Sequence, residues 1–365
     1  MELKYYIIRR LLVLIPTIIG LLLLTFILLR AVPVNDLIAN YINQKATPAQ
    51  KLIEKKQAII LLGLGQPLPQ QFFTYLTDIA NGNLGNMYSA YYNGAVLRGI
   101  ELFLPVTLEI AILTVIFSVI VSIPLGTYIG ARPNSVSDSV GRVFSLIFYA
   151  MPIFWLALML QYAFGKDLLF MGNYGLPING QGFPLQPVAF IHNHSGYSYS
   201  VPTHMLFIDA VLNLDFPLAV VAFEHLILPV LTLSMTVLAG LLRFIRAGMV
   251  DTSNQEYIKT ARAKGVPEKL VLKRHIRKNA LLPSVTVIGL LVAGLLGGAV
   301  VVEDIFQITG LGRLSLAAIT GTSGNGANIQ FFGVAGTVLF FGLILMLTNL
   351  IVDIVYAFLD PRIRY

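Results

Sequence analysis

The sequence predicts an all-α integral membrane protein with six transmembrane helices, because it is poor in charged residues and contains six long uncharged windows. Of the 365 residues, 56% are hydrophobic and 12% are charged, and that charged share is about half of what a soluble globular domain carries. Six windows contain no charged residue and are long enough to cross ~30 Å of hydrocarbon. Cysteine is absent, which excludes disulfides, thiolate nucleophiles and cysteine-ligated metal sites.

The six windows are rich in Leu, Ile, Val and Phe, and lipid requires each of them to satisfy its own backbone hydrogen bonds as a helix. In chain order they are Leu11–Leu29, Ile110–Ile129, Val143–Phe164, Leu226–Leu242, Ala280–Val302 and Phe331–Val352. We therefore predict one transmembrane helix in each window.

Basic residues predict the orientation of these helices, because loops that stay in the cytoplasm carry an excess of Lys and Arg. If the N-terminus is cytoplasmic, 17 of the 25 basic residues fall on the inner side, and the other eight are spread over much longer outer segments. Both termini are therefore predicted to be cytoplasmic. The chain then divides into residues 1–30, the cytoplasmic N-terminus with the first helix; residues 31–103, an extracytoplasmic segment; and residues 104–365, a membrane core. That core contains an outer insertion at about residues 165–225 and an inner loop at residues 251–279.

The two outer segments are longer than ordinary connections and should contain structure of their own. The spacing of apolar residues predicts a helix over Pro48–Leu61. Asn193-His194-Ser195 matches an N-glycosylation pattern, and His192 with His194 could form half of a metal site. No acidic residue accompanies the two histidines, so solvated side chains are the simpler interpretation.

Motifs for nucleotide chemistry and catalysis are missing from the sequence. The phosphate-binding pattern G-x-x-x-x-G-K-[ST] is absent, so the chain cannot build that loop by itself. No Ser/His/Asp spacing typical of a hydrolase stands out. We expect a protein that is not an enzyme, that holds no cofactor or metal, and that has no nucleic-acid partner.

The inner loop between the fourth and fifth windows carries clear helix signals. Ser253 and Glu256 have the spacing of a capping box, and a helix over 256–264 would end at Gly265, a residue suited to the position after a helix. Pro267 suits the first turn of a second helix, over 267–278. The prediction is a helix–Gly–helix unit on the cytoplasmic side.

This loop is also strongly basic, since residues 259–278 contain eight basic residues and one acidic residue, Glu268. One interpretation is a loop that lies on anionic lipid, an attraction worth ~1 kcal/mol for each basic residue near the surface. Charge alone does not require a capped helix pair, and the small residues Ala261 and Ala263 would let another protein approach the backbone closely. The alternative interpretation is therefore a docking element for a separate protein.

The same loop resembles the EAA loop, the signature of the membrane subunits of ABC importers. Glu256–Gly265, followed by Arg274-His275 and Asn279–Pro283, resembles its form in the dipeptide, oligopeptide and nickel permease family. Other segments resemble this family, in order, along nearly the whole chain: Gly63–Pro67, Gly82–Gly85, Leu104–Glu109, Ile123–Gly126, Pro152–Ala157, Leu228–Leu233, Val302–Phe306, Gly310–Gly312 and Asp360–Tyr365. The Glu-Ala-Ala that names the loop aligns with Lys259-Thr260-Ala261, so the match is to the narrower peptide-permease form.

The resemblance implies a permease subunit that receives a solute from an extracytoplasmic binding protein and lets it cross when separate subunits hydrolyse ATP. It implies a second permease of the same family, two ATP-binding subunits that hold ATP and magnesium, the solute-binding protein, and membrane lipid as partners. It also implies that the inner loop couples to the ATPase, through Glu256, Tyr257, Thr260, Ala261, Arg262, Ala263, Lys264, Gly265, Val266 and Lys269.

Two other functions are compatible with a helical membrane protein. A secondary transporter or channel would need ionisable residues or broken helices near the membrane midplane, whereas the centres of the predicted spans are uncharged. A structural membrane anchor would leave the basic helix pair unexplained. The solute is also open, because permeases of the peptide type serve peptides or oligosaccharides.

Overall fold

A computed structural model describes residues 3–43, 46–89, 92–165, 175–178, 203–323, 326–327 and 329–359. Three features considered above lie outside these residues: the histidines His192 and His194, the glycosylation pattern at Asn193, and the C-terminal segment Asp360–Tyr365.

Helices make up most of the described chain. They are α1 (Leu3–Ala31), α2 (Val34–Leu37), α3 (Pro48–Leu61), α4 (Leu68–Ala80), α5 (Val96–Gly130), α6 (Val136–Ala150), α7 (Ile153–Phe164), α8 (Leu206–Leu212), α9 (Phe216–Ser253), α10 (Glu256–Ala263), α11 (Glu268–Leu270), α12 (Arg277–Ile305), α13 (Leu311–Thr320) and α14 (Phe331–Leu359). A 3₁₀ turn covers Ala39–Tyr41 and a π-helical segment covers Val271–Ile276. Two short antiparallel strand pairs are also present, β1 (Asn86–Tyr88) with β2 (Asn93–Ala95) and β3 (Thr322–Ser323) with β4 (Gly326–Ala327).

Each of the six apolar windows falls on helical structure, which agrees with the predicted class. In the described part of the chain, four helices are long and apolar enough to cross a membrane, over Ile7–Ala31, Val96–Gly130, Phe216–Ser253 and Phe331–Val355. Two further candidates are bent, by 107° between α6 and α7 and by 43° within the segment 268–305. The described helices therefore give four to six candidate spans.

The third window is not the single straight helix that its composition predicts. Met151 adopts an extended conformation, with ψ at 128°, and Pro152 caps the start of α7. A residue before proline is disfavoured in the helical region, so the chain turns at this point. At 1.5 Å per residue, the 15 residues of α6 and the 12 of α7 reach about 22 and 18 Å, short of ~30 Å each.

Helix α9 lies at the centre of the largest apolar core and packs against α5, α6, α7 and α12. Two glycines let α5 approach it closely. A Cβ at Gly126 would lie 2.8 Å from Cγ2 of Ile245, and one at Gly130 would lie 2.6 Å from Cβ of Met249. The fully buried Ile245 and Met249 therefore occupy space that any larger residue on α5 would need.

A buried carboxyl group fixes the position of α13. Oε1 of Glu303 accepts a 2.6 Å hydrogen bond from the hydroxyl of Thr107, and Oε2 accepts one of 2.9 Å from the Arg313 N–H. The Thr107 oxygen in turn accepts from the Leu311 N–H at 2.8 Å. A Cβ at Gly310 would lie 2.4 Å from the Glu303 carboxyl carbon, so the chain must be glycine where it passes this group. Two N–H groups that open α13 are thereby satisfied from α5 and α12.

The segment 31–103, which is predicted to be extracytoplasmic, contains the predicted helix over Pro48–Leu61, which is α3. Its first turn has the reciprocal hydrogen bonds of a capping box, because the Gln50 N–H donates to Oγ1 of Thr47 at 3.4 Å and the Thr47 N–H donates to Oε1 of Gln50 at 3.0 Å. Pro48 occupies the first helical position, where a missing N–H costs little.

Candidate functional site

The inner loop predicted as a docking element connects α9 to α12. It consists of α10, a turn at residues 264–267, α11 and the π-helical segment. All ten predicted site residues lie in this stretch, and the structure brings them together as one continuous unit.

The start of α10 differs from the predicted capping box. The N-cap residue is Gln255, and no side chain caps the helix. Ser253 is instead the last residue of α9, and its hydroxyl donates to the carbonyl of Val250 at 2.8 Å. The capping prediction was wrong because α9 continues beyond the end of its apolar window at Leu242 and includes Ser253 as its last residue.

The end of α10 confirms the prediction for Gly265. This residue has a left-handed conformation, with φ at +75°. Its N–H donates to the Arg262 carbonyl at 2.9 Å, and the Val266 N–H donates to the Ala261 carbonyl at 3.3 Å. These two bonds form a Schellman motif, in which glycine avoids the cost that other residues pay for a left-handed backbone.

The second predicted helix is not an independent element. Pro267 is the N-cap of the three-residue helix α11 rather than its first helical residue. The chain then passes through the π-helical segment Val271–Ile276 directly into α12. The predicted helix over 267–278 is therefore the beginning of the helical segment that continues as α12.

One face of the loop packs into the apolar core of the chain. Ile258, Val271 and Ile276 are buried in the large cluster that surrounds α9, and Ala261 and Val266 pack partly against it. Sequence reasoning missed Ile258, although its spacing of three residues from Ala261 already placed the two on one side of a helix.

The other face of the loop is open. The predicted site residues that are exposed are Glu256, Tyr257, Thr260, Arg262, Ala263, Lys264, Gly265 and Lys269, whereas Ala261 and Val266 are half-buried. Ala263, Lys264 and Gly265 form the tip of the unit, and a Cβ at Gly265 would meet no atom within 4 Å. The backbone at the tip is therefore unobstructed within the described part of the chain.

Polar contacts hold the open face in shape. Arg262 donates to both carboxylate oxygens of Glu268, at 3.1 and 2.8 Å, and so ties α10 to α11. Lys259 pairs with Glu256 at 2.8 Å, and Asn279 donates to the Tyr257 hydroxyl at 3.1 Å. The Arg262 and Glu256 charges are thus partly balanced within the loop, leaving Lys264 and Lys269 as cationic groups without an ion-pair partner in the described chain.

Close backbone contacts attach the loop to the helices on either side. A Cβ at Gly248 on α9 would lie 2.7 Å from the carbonyl oxygen of Ala280 on α12, so the two helices nearly touch where the loop joins them. On the other side of α9, Arg246 forms a double hydrogen bond with Asp138 of α6, with 2.9 Å between Nη2 and Oδ2. The end of α9 and the beginning of α12, which flank the loop, are therefore in close contact with each other, and α9 is also bound to α6.

Among the described residues, no group of three His, Cys, Asp or Glu side chains is placed to hold a metal ion.

Comparison with known proteins identifies relatives over the whole chain. Residues 122–365 match the family described as binding-protein-dependent transport system inner membrane component. The chain is 33% identical to the dipeptide transport system permease protein of Alkalihalophilus pseudofirmus over 362 residues, which cover 99% of each chain. It is 32% identical to the dipeptide transport system permease protein of Escherichia coli K12, over 99% of this chain and 98% of that protein. It is also 32% identical to the oligopeptide transport system permease protein of Bacillus subtilis, over 99% of both.

Proposed function

Because this chain belongs to the family of binding-protein-dependent transport system inner membrane components, the permease subunits of ABC importers, we propose that it forms half of a peptide-translocating pore. Its family consists of permease subunits rather than enzymes. The relatives compared above are permeases for dipeptides or oligopeptides, and they align with this chain from end to end. That end-to-end similarity is what favours peptides over oligosaccharides as the solute.

The pore requires other subunits to be complete. The family description names a binding protein, which we place on the extracytoplasmic side as the donor of the solute. We propose that two separate subunits bind ATP and magnesium, which agrees with the lack of a phosphate-binding loop in this sequence. A second permease of the same family would supply the other half of the pore.

The inner loop is the proposed contact with an ATPase subunit. The observation that supports this proposal is that the two sides of the loop differ. Ile258 and Val271 are buried in the apolar core of the chain around α9, while Ala263 to Gly265 are exposed at the tip. A partner that displaces the tip would push on α9 and, through the π-helical segment, on α12. Rigid elements that share a packed interface can pass such a movement to the solute pathway.

The proposed topology has six spans and cytoplasmic termini. It counts the bent pair α6–α7 and the bent segment 268–305 as one span each. The outer segment with α2, α3 and α4 then lies on the side of the binding protein, and α10 lies on the side of the ATPases. The excess of basic residues around α10 supports this orientation.

Reconstitution in liposomes tests the proposal. The purified chain is inserted with a second permease, the ATP-binding subunits and the binding protein, and uptake of a labelled dipeptide is measured with and without ATP. We expect uptake only in the complete system with ATP. The matched control is the complete system with an inactive ATPase subunit. ATP-independent uptake by this chain alone would contradict the proposal and favour a secondary transporter.

A further inference from the structure

A cavity lined by arginines lies between three helices, and no residue of the inner loop lines it. It has a volume of about 300 Å³ and opens between α5, α6 and α9. Its apolar wall is formed by Ile129, Leu146 and Leu242, and its polar side by Arg142, Arg243 and Arg246. None of these six residues belongs to the proposed ATPase contact, although Arg246 also helps to hold α9 against α6 through Asp138.

The charges around this cavity do not balance. Asp138 is fully buried and binds Arg246, and its Oδ2 lies 3.7 Å from Nε of Arg142. It also accepts the Asn134 N–H at 3.0 Å. Arg243 has no carboxylate within ion-pair distance in the described part of the chain, and its guanidinium lies 4.6 Å from the ring centre of Tyr149. Three guanidinium groups therefore face one carboxylate.

The surface next to the cavity is apolar. Along α6, a stripe of exposed side chains with helical spacing continues from the cavity wall: Val136, Val140, Val143, Leu146 and Ile147. Gly141 allows α5 to close the bottom of the cavity, because a Cβ there would lie 2.6 Å from Cδ1 of Ile129. A ligand that fits this site must combine a negative charge with an apolar chain.

We propose that this cavity binds an anionic phospholipid of the cytoplasmic leaflet. Its phosphate would lie between Arg142, which shares the Asp138 carboxylate with Arg246, and Arg243, which has no carboxylate partner in the described part of the chain. An acyl chain would run along Leu146 and the apolar stripe of α6. Basic pockets between transmembrane helices on the cytoplasmic side are typical sites for such headgroups. The assignment to the inner leaflet rests on the proposed topology, whereas the choice of an anionic amphiphile rests on the cavity alone.

Binding is tested on the full-length purified chain in detergent, without ATP or other subunits. Delipidated protein is titrated with phosphatidylglycerol or with phosphatidylcholine, and the bound lipid is counted by native mass spectrometry. We expect preferential binding of phosphatidylglycerol. Because ~1 kcal/mol is lost with each basic residue near an anionic headgroup, Arg243→Gln should weaken this binding about five-fold.

Arg132→Gln provides the matched control, because Arg132 also lies over a tyrosine ring, 4.3 Å from the centre of Tyr128, but does not line the cavity. It should leave lipid binding unchanged. Leu146→Trp keeps every charge but fills the apolar wall, and it should weaken binding of the lipid without affecting a free anion.

Several results would overturn the proposal. Equal binding of the two lipids would do so, and so would equal effects of Arg243→Gln and Arg132→Gln. Displacement of the lipid by millimolar inorganic phosphate would indicate a simple anion site. Loss of the lipid when a second permease subunit is added would assign the surface to that subunit instead. Because the assay contains no ATPase and no solute, a failure of the importer proposal would not change these outcomes.

Discussion

At the scale of single residues, Gly265 has a left-handed backbone and also lies at the tip of the proposed ATPase contact. A β-branched residue at φ +75° costs about 1–2 kcal/mol of local strain. Since no atom lies within 4 Å of the Cβ position, strain is the main consequence of substitution. We expect Gly265→Val to remain in the membrane but to co-purify with much less of the ATPase subunits than the wild type.

Gly63→Val is the matched control for this prediction. Gly63 also has a left-handed conformation, with φ at +61°, and its Cβ would make only an ordinary 3.4 Å contact with Gln66. It should cost similar strain without affecting ATPase association. Gly265→Asn should restore association in part, because asparagine tolerates the left-handed region. Wild-type co-purification of Gly265→Val would remove the support for the loop as the ATPase contact.

At the scale of elements, α13 depends on the hydrogen bonds among Thr107, Glu303 and Leu311. Thr107→Val keeps the shape of the side chain but removes the donor to Glu303 and the acceptor for the Leu311 N–H. Leaving buried polar groups unsatisfied costs about 1–3 kcal/mol each. We expect a lower thermal unfolding temperature in detergent.

Thr114→Val is the control on the same helix. Thr114 is fully buried, and its hydroxyl has no hydrogen-bond partner in the described part of the chain. Its replacement should therefore be neutral or slightly stabilising. If both variants unfold at the same temperature, the Thr107 hydroxyl does not hold α13 in place.

The same elements show what sequence alone can and cannot predict. The helices in the apolar windows, helix α3 and the helix end at Gly265 were predictable because each depends on residues close in sequence. The break between α6 and α7 was not predictable, because a proline alone does not show whether a helix ends. Pro124 and Pro229 lie inside continuous helices, whereas Pro152 precedes a new one. The Glu303–Thr107 hydrogen bond joins residues 196 apart, and a contact of that kind leaves no local signal.

At the scale of the whole molecule, the bent pair α6–α7 determines the topology. If it crosses the membrane, α8 lies outside and α10 lies in the cytoplasm. If it enters and returns on the same side, α8 lies inside, and α9 would carry α10 to the outer side, away from any ATPase. The basic loop at 259–278 favours the crossing arrangement, because lysines and arginines are retained in the cytoplasm.

Single cysteines can distinguish these arrangements, since the chain has no cysteine of its own. We expect an impermeant maleimide to label Lys56→Cys on α3 and Leu212→Cys on α8 in intact cells. Ser139→Cys on α6 should be labelled only after permeabilisation. All three side chains are exposed, so access to the reagent depends on the side of the membrane. Labelling of Leu212→Cys only after permeabilisation would show that α6–α7 is re-entrant, and α10 could then not meet a cytoplasmic ATPase.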